Sequence, residues 1–118
     1  MSKFKRSIVG KIGFCKNKDL GINKKGGHYV YIRDFFGDKC NVNVVTSLEN
    51  KNEHLKTNRV LNIKKGYTYP IPLSDSNFTL WSGINYDTIK NVKTSNIINI
   101  GKRYIKRKHK FFVGKFSK

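Results

Sequence analysis

The sequence predicts a mainly β protein, folded as one small and strongly curved barrel. Three observations support this fold class. Apolar residues alternate with polar ones, several short β-prone runs are separated by turn residues, and a length of 118 residues suits a single domain. Hydrophobic residues make up 37% of the chain and aromatic residues 13%, which is enough for a packed core. A chain this short cannot hold a doubly wound nucleotide-binding fold.

Alternating patterns indicate three strands in the first half of the chain. The second strand has the densest run of β-forming residues, with Val30 and Ile32 sharing one face with His28, and Tyr31 on the other face. The predicted elements are a strand over about 7–15, a long basic loop over 16–27, a strand over 28–33, a tight connection over 34–39 and a strand over 41–48.

The second half contains weaker strand signals. Both prolines fall in the segment 66–75, so that segment is at best an edge strand or an extended stretch, because proline cannot donate a ladder hydrogen bond. The predicted elements are a polar loop over 49–58, a short fourth strand over 59–63, the extended segment 66–75 and a β-prone run over 81–89.

The C-terminal part differs in charge from the rest. No acidic residue follows Asp87, whereas ten Lys and Arg residues do. The apolar residues from Ile97 to Phe112 roughly fit a helical stripe that Gly101 interrupts, while 110–116 also fits a last strand, and the pattern does not decide between them. We therefore divide the chain into a barrel domain over 1–100 and a basic C-terminal segment over 101–118.

The net charge indicates a polyanionic partner. The chain has 25 Lys and Arg against 7 Asp and Glu, a formal charge of +18. Nucleic acid, an anionic membrane surface or a strongly acidic protein would each satisfy such a charge. No apolar run approaches the roughly 20 residues of a membrane helix, and glycines and a lysine interrupt the stretch after the basic N-terminus, which makes a poor signal peptide. We expect a cytoplasmic protein that does not enter the membrane.

Cysteine and histidine spacing gives no metal-site pattern. Cys15 and Cys40 lie far apart, and His28, His54 and His109 are scattered. We expect two reduced, buried cysteines, no metal ion and no cofactor.

Two motifs in a fixed order resemble a known family. Residues 26–32 read G-G-H-Y-V-Y-I, and residues 82–97 read S-G-I-N-Y-D-T-I-K-N-V-K-T-S-N-I. With the glycine-containing loop before the first motif, a strand ending in Thr-Ser at 46–47 and the proline segment at 69–74, this order resembles the MazF/PemK family of toxin ribonucleases of bacterial toxin–antitoxin systems. The resemblance covers residues 7–97.

The resemblance implies a fold and an activity. The fold would be an SH3-like barrel of the PemK type. The activity would be metal-independent cleavage of single-stranded RNA, in which the ribose 2′-hydroxyl attacks the adjacent phosphorus and leaves a cyclic phosphate. The resemblance also implies a homodimer, held inactive by an antitoxin that is either an acidic protein or an RNA.

One position departs from the family pattern. The family commonly has a catalytic Arg after the paired glycines, and this chain has His28 there, followed by Tyr29 in place of Pro. Histidine titrates near neutrality, so it can hold a phosphate as a cation or accept a proton as a neutral base. Thr46 and Ser47 match the family's catalytic Thr position. The predicted catalytic residues are therefore His28, Thr46 and Ser47.

Basic and aromatic residues around this point are candidates for binding RNA. Lysines supply phosphate affinity, arginines pair with phosphate, tyrosines stack on unpaired bases, and a carboxylate accepts hydrogen bonds from base amino groups. The predicted RNA-binding residues are Lys24, Lys25, Tyr31, Arg33, Asp75, Arg103, Lys106 and Arg107.

Two other functions remain open at this point. A basic barrel can grip RNA or DNA without cutting it, for example as a ribosome-associated or phage-encoded protein, and the histidine at position 28 together with the basic C-terminal segment favours that alternative. A toxin of the same fold that acts on a protein such as gyrase is the third possibility, and the basic surface disfavours it.

Overall fold

The computed structural model describes residues 7–50 and 54–116. Within these ranges the chain forms strands, short helices and two single 3₁₀ turns at 73–75 and 94–96. The elements in chain order are β1 (Ile12–Lys16), α1 (Asn17–Leu20), β2 (Gly27–Phe35), β3 (Lys39–Ser47), α2 (Thr57–Lys64), β4 (Thr68–Ile71), β5 (Ser82–Lys93), β6 (Ile97–Ile98) and α3 (Arg107–Phe116).

The strands form one antiparallel sheet in the order β4-β5-β3-β2-β1-β6. This confirms a mainly β protein. The sheet is not a closed barrel, because the edge strands β4 and β6 do not pair with each other in the part of the chain that the structure describes. Both edges are unsuited to closure: β6 has only two residues, and Pro70 in β4 has no N–H to donate.

Both faces of the sheet are packed. The first cluster, on one face, contains Cys15, Leu20, Val30, Ile32, Cys40, Val42, Val44, Val92 and Ile97. The second cluster, on the opposite face, contains Ile12, Tyr31, Val45, Ile71, Ile84, Ile105 and Val113. Because Ile105 and Val113 belong to the second cluster, the basic C-terminal segment covers that face of the sheet.

This two-sided burial corrects the expectation for Tyr31. We predicted an exposed tyrosine that stacks on bases, but Tyr31 is only 2% exposed and its hydroxyl donates to the carbonyl of Lys110 at 3.3 Å. Burial also raises the pKa of the Tyr31 phenol. With the C-terminal segment packed over it, the ring offers no free face to a base.

The first strand begins later than predicted. Gly10 adopts a φ of 87°, and its N–H donates to the carbonyl of Ile32 at 2.7 Å. This left-handed conformation breaks the alternation, so β1 starts at Ile12 instead of at about residue 7. The predicted loop over 16–27 also contains the single helical turn α1, which ends at Gly21 with a φ of 76°.

The predicted strand over 59–63 is wrong, because these residues lie inside α2. Val60 and Ile63 are three positions apart and half-buried, while most of the helix is exposed and no residue in it is fully buried. This run is so polar that its few apolar residues do not predict either a strand or a helix from local pattern alone.

Other elements match the expectations. The strands predicted over 28–33 and 41–48 are confirmed as β2 and β3, and the run over 81–89 is part of β5. The proline segment does contain an edge strand, since β4 pairs only with β5. At the C-terminus the helical alternative is confirmed by α3, and Gly101 lies before it in a turn with a φ of 92°.

Cys15 and Cys40 are buried in the first cluster as free thiols, as expected, and burial raises the pKa of Cys15 to about 11. Within residues 7–50 and 54–116, no helix has the length and apolar character needed to cross a bilayer.

Candidate functional site

A cavity of about 390 Å³ opens where β2 begins and β3 ends, and we name it the His28 cavity. It brings together all three predicted catalytic residues and Arg103 from the C-terminal segment. Its lining comprises Phe14, Gly27, His28, Tyr29, Val45, Thr46, Ser47, Arg59, Phe78, Thr79, Leu80, Ser82 and Arg103.

The antiparallel pairing of β2 and β3 explains why His28 and Thr46 meet. Val30 pairs with Val44, and the same register continued by two residues puts His28 beside Thr46. Ser47 follows at the last position of β3. Residues 18 positions apart in sequence therefore become neighbours at one end of the sheet.

Asn17 fixes the orientation of the His28 ring. Asn17 Nδ2 donates to the carbonyl of Lys25 at 3.1 Å, and a carbonyl can only accept. Asn17 Oδ1 therefore faces His28 Nδ1, at 2.6 Å, and Nδ1 must carry the proton that it donates. Nε2 then holds the lone pair, and no group of the described residues hydrogen-bonds to it. The geometry leaves Nε2 available as a base.

The surroundings of His28 favour its neutral form. Burial, followed by the positive charges of Arg59 and Lys24, lowers the pKa of His28 from its ordinary value of 6.5. A neutral imidazole at physiological pH is the form that accepts a proton.

Ser47 is held by two cationic side chains. Lys56 Nζ donates to Ser47 Oγ at 2.6 Å, and Arg59 Nη1 donates to Ser47 Oγ at 3.3 Å and to its carbonyl at 3.0 Å. Because Oγ accepts from both, the proton of the Ser47 hydroxyl points away from them. Burial and the charge of Arg59 lower the pKa of Lys56 from 10.5, which makes its ammonium a better acid.

The opposite wall of the His28 cavity is aromatic. The Tyr29 ring lies edge-on to Phe14 with 5.4 Å between centroids, and it is tilted against Phe78 at 6.3 Å. The guanidinium carbon of Arg103 lies 5.9 Å from the Tyr29 ring centroid. Tyr29 remains 36% exposed, so part of its ring faces the cavity.

The segment around Asn77 anchors Arg103. Arg103 Nη1 donates to the carbonyl of Asn77, and Asn77 Nδ2 donates to the carbonyl of Lys102 at 2.8 Å. The backbone N–H of Tyr104 donates back to Asn77 Oδ1 at 2.7 Å. These bonds hold the start of the C-terminal segment against the aromatic wall.

The His28 cavity continues into a basic groove on its other side. A neighbouring cavity of about 580 Å³ shares Gly27, His28, Thr46 and Arg59 with it and adds Lys24 and Lys25. A further depression of about 830 Å³ begins at the same two lysines. We name this continuation the lysine groove, and its lysines are Lys16, Lys18, Lys24 and Lys25.

Three predicted RNA-binding residues lie away from these cavities. Arg33 is near the other end of β2, where it forms an ion pair with Asp34 at 3.0 Å. Lys106 and Arg107 are exposed at the start of α3, and Lys106 forms an ion pair with Asp75 at 3.4 Å. Neither Arg33, Lys106 nor Arg107 lines the His28 cavity or the lysine groove.

Asp75 does not have the role that we predicted for it. Its carboxylate is 7% exposed and binds His109 Nε2 at 2.7 Å and Lys108 Nζ at 3.3 Å. His109 Nδ1 is in turn 3.0 Å from the hydroxyl of Tyr69. Asp75 therefore anchors α3 to the sheet, and its oxygens are occupied by protein groups instead of base amino groups.

The sequence did not reveal several residues of the site. Arg59 was expected in a strand, Lys56 in a polar loop and Asn17 in a basic loop, while Phe14 and Phe78 were not among the candidate site residues. Their positions depend on α2 and on the segment 77–80 folding over the end of the sheet. The only local signal was that Tyr29 directly follows His28 in the sequence.

Comparison of the chain with protein-family models, with curated proteins and with solved structures gave no significant match. The resemblance to the MazF/PemK family therefore stays a prediction, and the function has to be argued from the residues of the site.

Proposed function

We propose that the protein is a metal-independent endoribonuclease that cleaves single-stranded RNA at the His28 cavity. The single observation that carries this proposal is the convergence of an oriented, neutral histidine with Arg59, Arg103 and two hydroxyl groups around one cavity. Transfer of a phosphoryl group to a neighbouring 2′-hydroxyl needs a base, an acid and positive charge, and such a cavity supplies all three.

His28 acts as the base. Its Nε2 accepts the proton of the ribose 2′-hydroxyl, and the resulting oxygen attacks the adjacent phosphorus. Asn17 Oδ1 accepts the hydrogen bond from Nδ1–H at 2.6 Å, which keeps the proton on Nδ1 and so maintains the reactive tautomer. The lowered pKa of His28 keeps Nε2 unprotonated at neutral pH.

Ser47 and Lys56 supply the proton for the leaving group. As the bond from phosphorus to the 5′-oxygen breaks, that oxygen takes the Ser47 hydroxyl proton, and Lys56 Nζ returns a proton to Ser47 Oγ across 2.6 Å. One proton thus enters at His28 and one leaves at Lys56, so the reaction needs no other reactant. The products are a 2′,3′-cyclic phosphate end and a 5′-hydroxyl end.

Arg59 and Arg103 balance the negative charge that builds up on the phosphorane oxygens, and the Thr46 hydroxyl donates a further hydrogen bond. Single-stranded RNA is the substrate class that fits, because only an unpaired chain offers a free 2′-hydroxyl together with bases that can lie on an aromatic wall.

The test is incubation of purified protein with mixed-sequence single-stranded RNA in EDTA. We expect products with 2′,3′-cyclic phosphate ends, and we expect the His28→Ala variant to make none while keeping the melting transition of the wild type. His54→Ala is the matched control, since His54 is exposed on a loop outside the cavity. Absence of cyclic phosphate ends with the wild type, or undiminished cleavage by His28→Ala, would contradict the proposal.

The lysine groove also favours a second candidate function, which is nucleic-acid binding without cleavage. Its four lysines offer phosphate affinity that needs no reaction. Salt-sensitive RNA binding without any cyclic phosphate product would support this candidate. The toxin role, the acidic or RNA antitoxin and the homodimer remain predictions that rest on the family resemblance.

A further inference from the structure

We propose that the protein reads its RNA on one side of the scissile phosphate only. In this proposal, which rests on the proposed nuclease function, the aromatic wall around Tyr29 binds the nucleobase on that side. The lysine groove binds backbone phosphates on the other side and is indifferent to the bases there.

The aromatic wall has the chemistry of a base platform. Tyr29 presents a partly exposed ring to the cavity, supported from behind by Phe14 and Phe78 at centroid distances of 5.4 and 6.3 Å. Aromatic rings supported in this way stack on unpaired bases. Arg103 lies within cation–π distance of the same ring and adds positive charge beside a base bound there.

The lysine groove has a different composition. Apart from His28, Thr46 and Arg59 at the junction with the His28 cavity, its lining combines four lysines with glycines, asparagines, Ile22 and Val44, and it includes no Phe, Tyr or Trp. Lysine is a flexible point charge that suits phosphate oxygens and carries no information about the base.

His28 lies at the junction of the two parts. It lines both the His28 cavity and the first cavity of the lysine groove, as do Thr46 and Arg59. A strand whose phosphate lies at His28 therefore runs toward Tyr29 in one direction and toward Lys24 and Lys25 in the other. The identity of the base therefore matters on the Tyr29 side of the scissile phosphate and not on the side of the lysine groove.

The substrates for the test are single-stranded DNA oligonucleotides with one central ribonucleotide. Only that nucleotide has a 2′-hydroxyl, so the position of cleavage is known. The base is then removed either from the central ribonucleotide, as an abasic ribose that keeps its 2′-hydroxyl, or from the deoxynucleotide immediately 3′ of the scissile phosphate. We expect kcat/KM to fall on one side by roughly 5- to 150-fold, the range for loss of one base–aromatic stack, and to stay essentially unchanged on the other side.

The Tyr29→Ala variant should lose activity on the intact oligonucleotide by a similar factor and should no longer distinguish the intact from the abasic substrate. Tyr29→Phe keeps the ring and should therefore still distinguish the intact from the abasic substrate. Tyr104→Ala is the matched control, because Tyr104 is exposed on the C-terminal segment outside the cavity. Lys24→Ala should weaken the binding of all substrates by the same factor. It should also lower the slope of log Kd against log salt by roughly 0.7, the value for one single-strand phosphate contact.

An equal fall in kcat/KM with the abasic residue on either side would overturn the inference while leaving the nuclease function intact. So would a Tyr29→Ala variant that still prefers the intact to the abasic substrate as the wild type does. Binding of the all-deoxy oligonucleotides, followed by fluorescence anisotropy, separates the two proposals. A one-sided abasic effect on their affinity that Tyr29→Ala removes supports the base platform even if no cleavage occurs. An affinity that the abasic residue does not change on either side counts against the platform.

Discussion

His28 and His109 both form hydrogen bonds through their rings, and they differ in what surrounds the second ring nitrogen. His109 is 7% exposed and has both nitrogens engaged, Nε2 by Asp75 and Nδ1 by Tyr69. His28 has one nitrogen held by Asn17, while Nε2 has no hydrogen-bond partner in the described part of the chain. The first arrangement stabilises the attachment of a helix, and the second leaves a nitrogen free for chemistry.

The comparison teaches that burial and hydrogen bonding do not identify a functional histidine by themselves. Both rings form hydrogen bonds with polar groups of the protein, and both lie at the edge of a packed cluster. The distinguishing features are an unoccupied nitrogen, a cavity next to it and cationic neighbours that favour the neutral ring. His28 has all three features. His109 has both ring nitrogens occupied and lines neither the His28 cavity nor the lysine groove.

The largest effect expected from the comparison is on cleavage. Replacing His28 by Ala removes the base and should lower kcat by about 10²- to 10⁴-fold, the usual contribution of general acid–base catalysis. Stopped assays on a single-ribonucleotide substrate measure the loss, and calorimetry checks that the melting temperature is unchanged. If kcat and melting temperature fell together, His28 would belong with His109 as a structural residue.

A smaller effect is expected from the residue that positions His28. The Asn17→Leu variant cannot accept the Nδ1 proton, and ring misplacement should lower kcat by up to about 100-fold. The dependence of the cleavage rate on pH separates a loss of His28 positioning from a loss of folded structure. In the wild type the rate should rise with pH through a midpoint below 6.5 and fall again through a midpoint below 10.5, because the pKa values of His28 and Lys56 are both lowered.

Asn17→Asp sharpens that prediction. A carboxylate next to Nδ1 stabilises the imidazolium, so the pKa of His28 and the acid midpoint of the rate should rise. An acid midpoint that is the same in Asn17→Asp and in the wild type would mean that another group is the base.

His109 should show the opposite pattern from His28. Its replacement by Ala leaves Asp75 and Tyr69 without their shared partner, and the free energy of unfolding should fall by about 1–3 kcal/mol. Cleavage by the protein that remains folded at low temperature should stay close to the wild-type rate. Urea titration measures the first quantity, and a rate assay below the melting transition measures the second.

The smallest effect concerns acid stability. The hydrogen bond from His109, followed by those from Lys108 and Lys106, lowers the pKa of Asp75 from 3.8 to about 2 against the opposing effect of burial. A carboxyl group with a lower pKa in the folded state stabilises that state above its unfolded pKa, and the contribution disappears as the pH falls. The stability from Asp75 should therefore be complete above pH 3.8 and lost by about pH 2.

Thermal melts between pH 5 and pH 2 test this statement, with Asp75→Asn as the comparison. The variant should be less stable at pH 5 and should lose less stability than the wild type on acidification. Parallel melting curves for the two proteins would show that other carboxyl groups control acid unfolding.

Local sequence was sufficient to predict the strands that carry the site. The β-branched runs of β2, β3 and β5 and Pro70 of β4 determine these elements over short distances, and the antiparallel pairing of β2 and β3 brings His28 to Thr46. The family resemblance predicted His28, Thr46 and Ser47 as candidates, and this pairing is what makes His28 and Thr46 neighbours.

Long-range packing accounts for what could not be predicted. Tyr31 and Asp75 resemble surface residues in sequence, and they are buried because α3, from the far end of the chain, covers them. Arg59 reaches the site through α2, whose polar sequence gives little local signal. Closure into a barrel depends on the length of β6, which a turn after Ile98 limits to two residues.

The placement of Arg103 has a consequence for the order of events during synthesis. Translation produces the sheet first, and the ribosome adds Arg103 and α3 only after every strand has been made. Until these residues leave the ribosome, the second cluster lacks Ile105 and Val113, and the aromatic wall lacks its cation. A nascent chain therefore carries an incomplete aromatic wall and an uncovered second cluster until its C-terminal segment has been made.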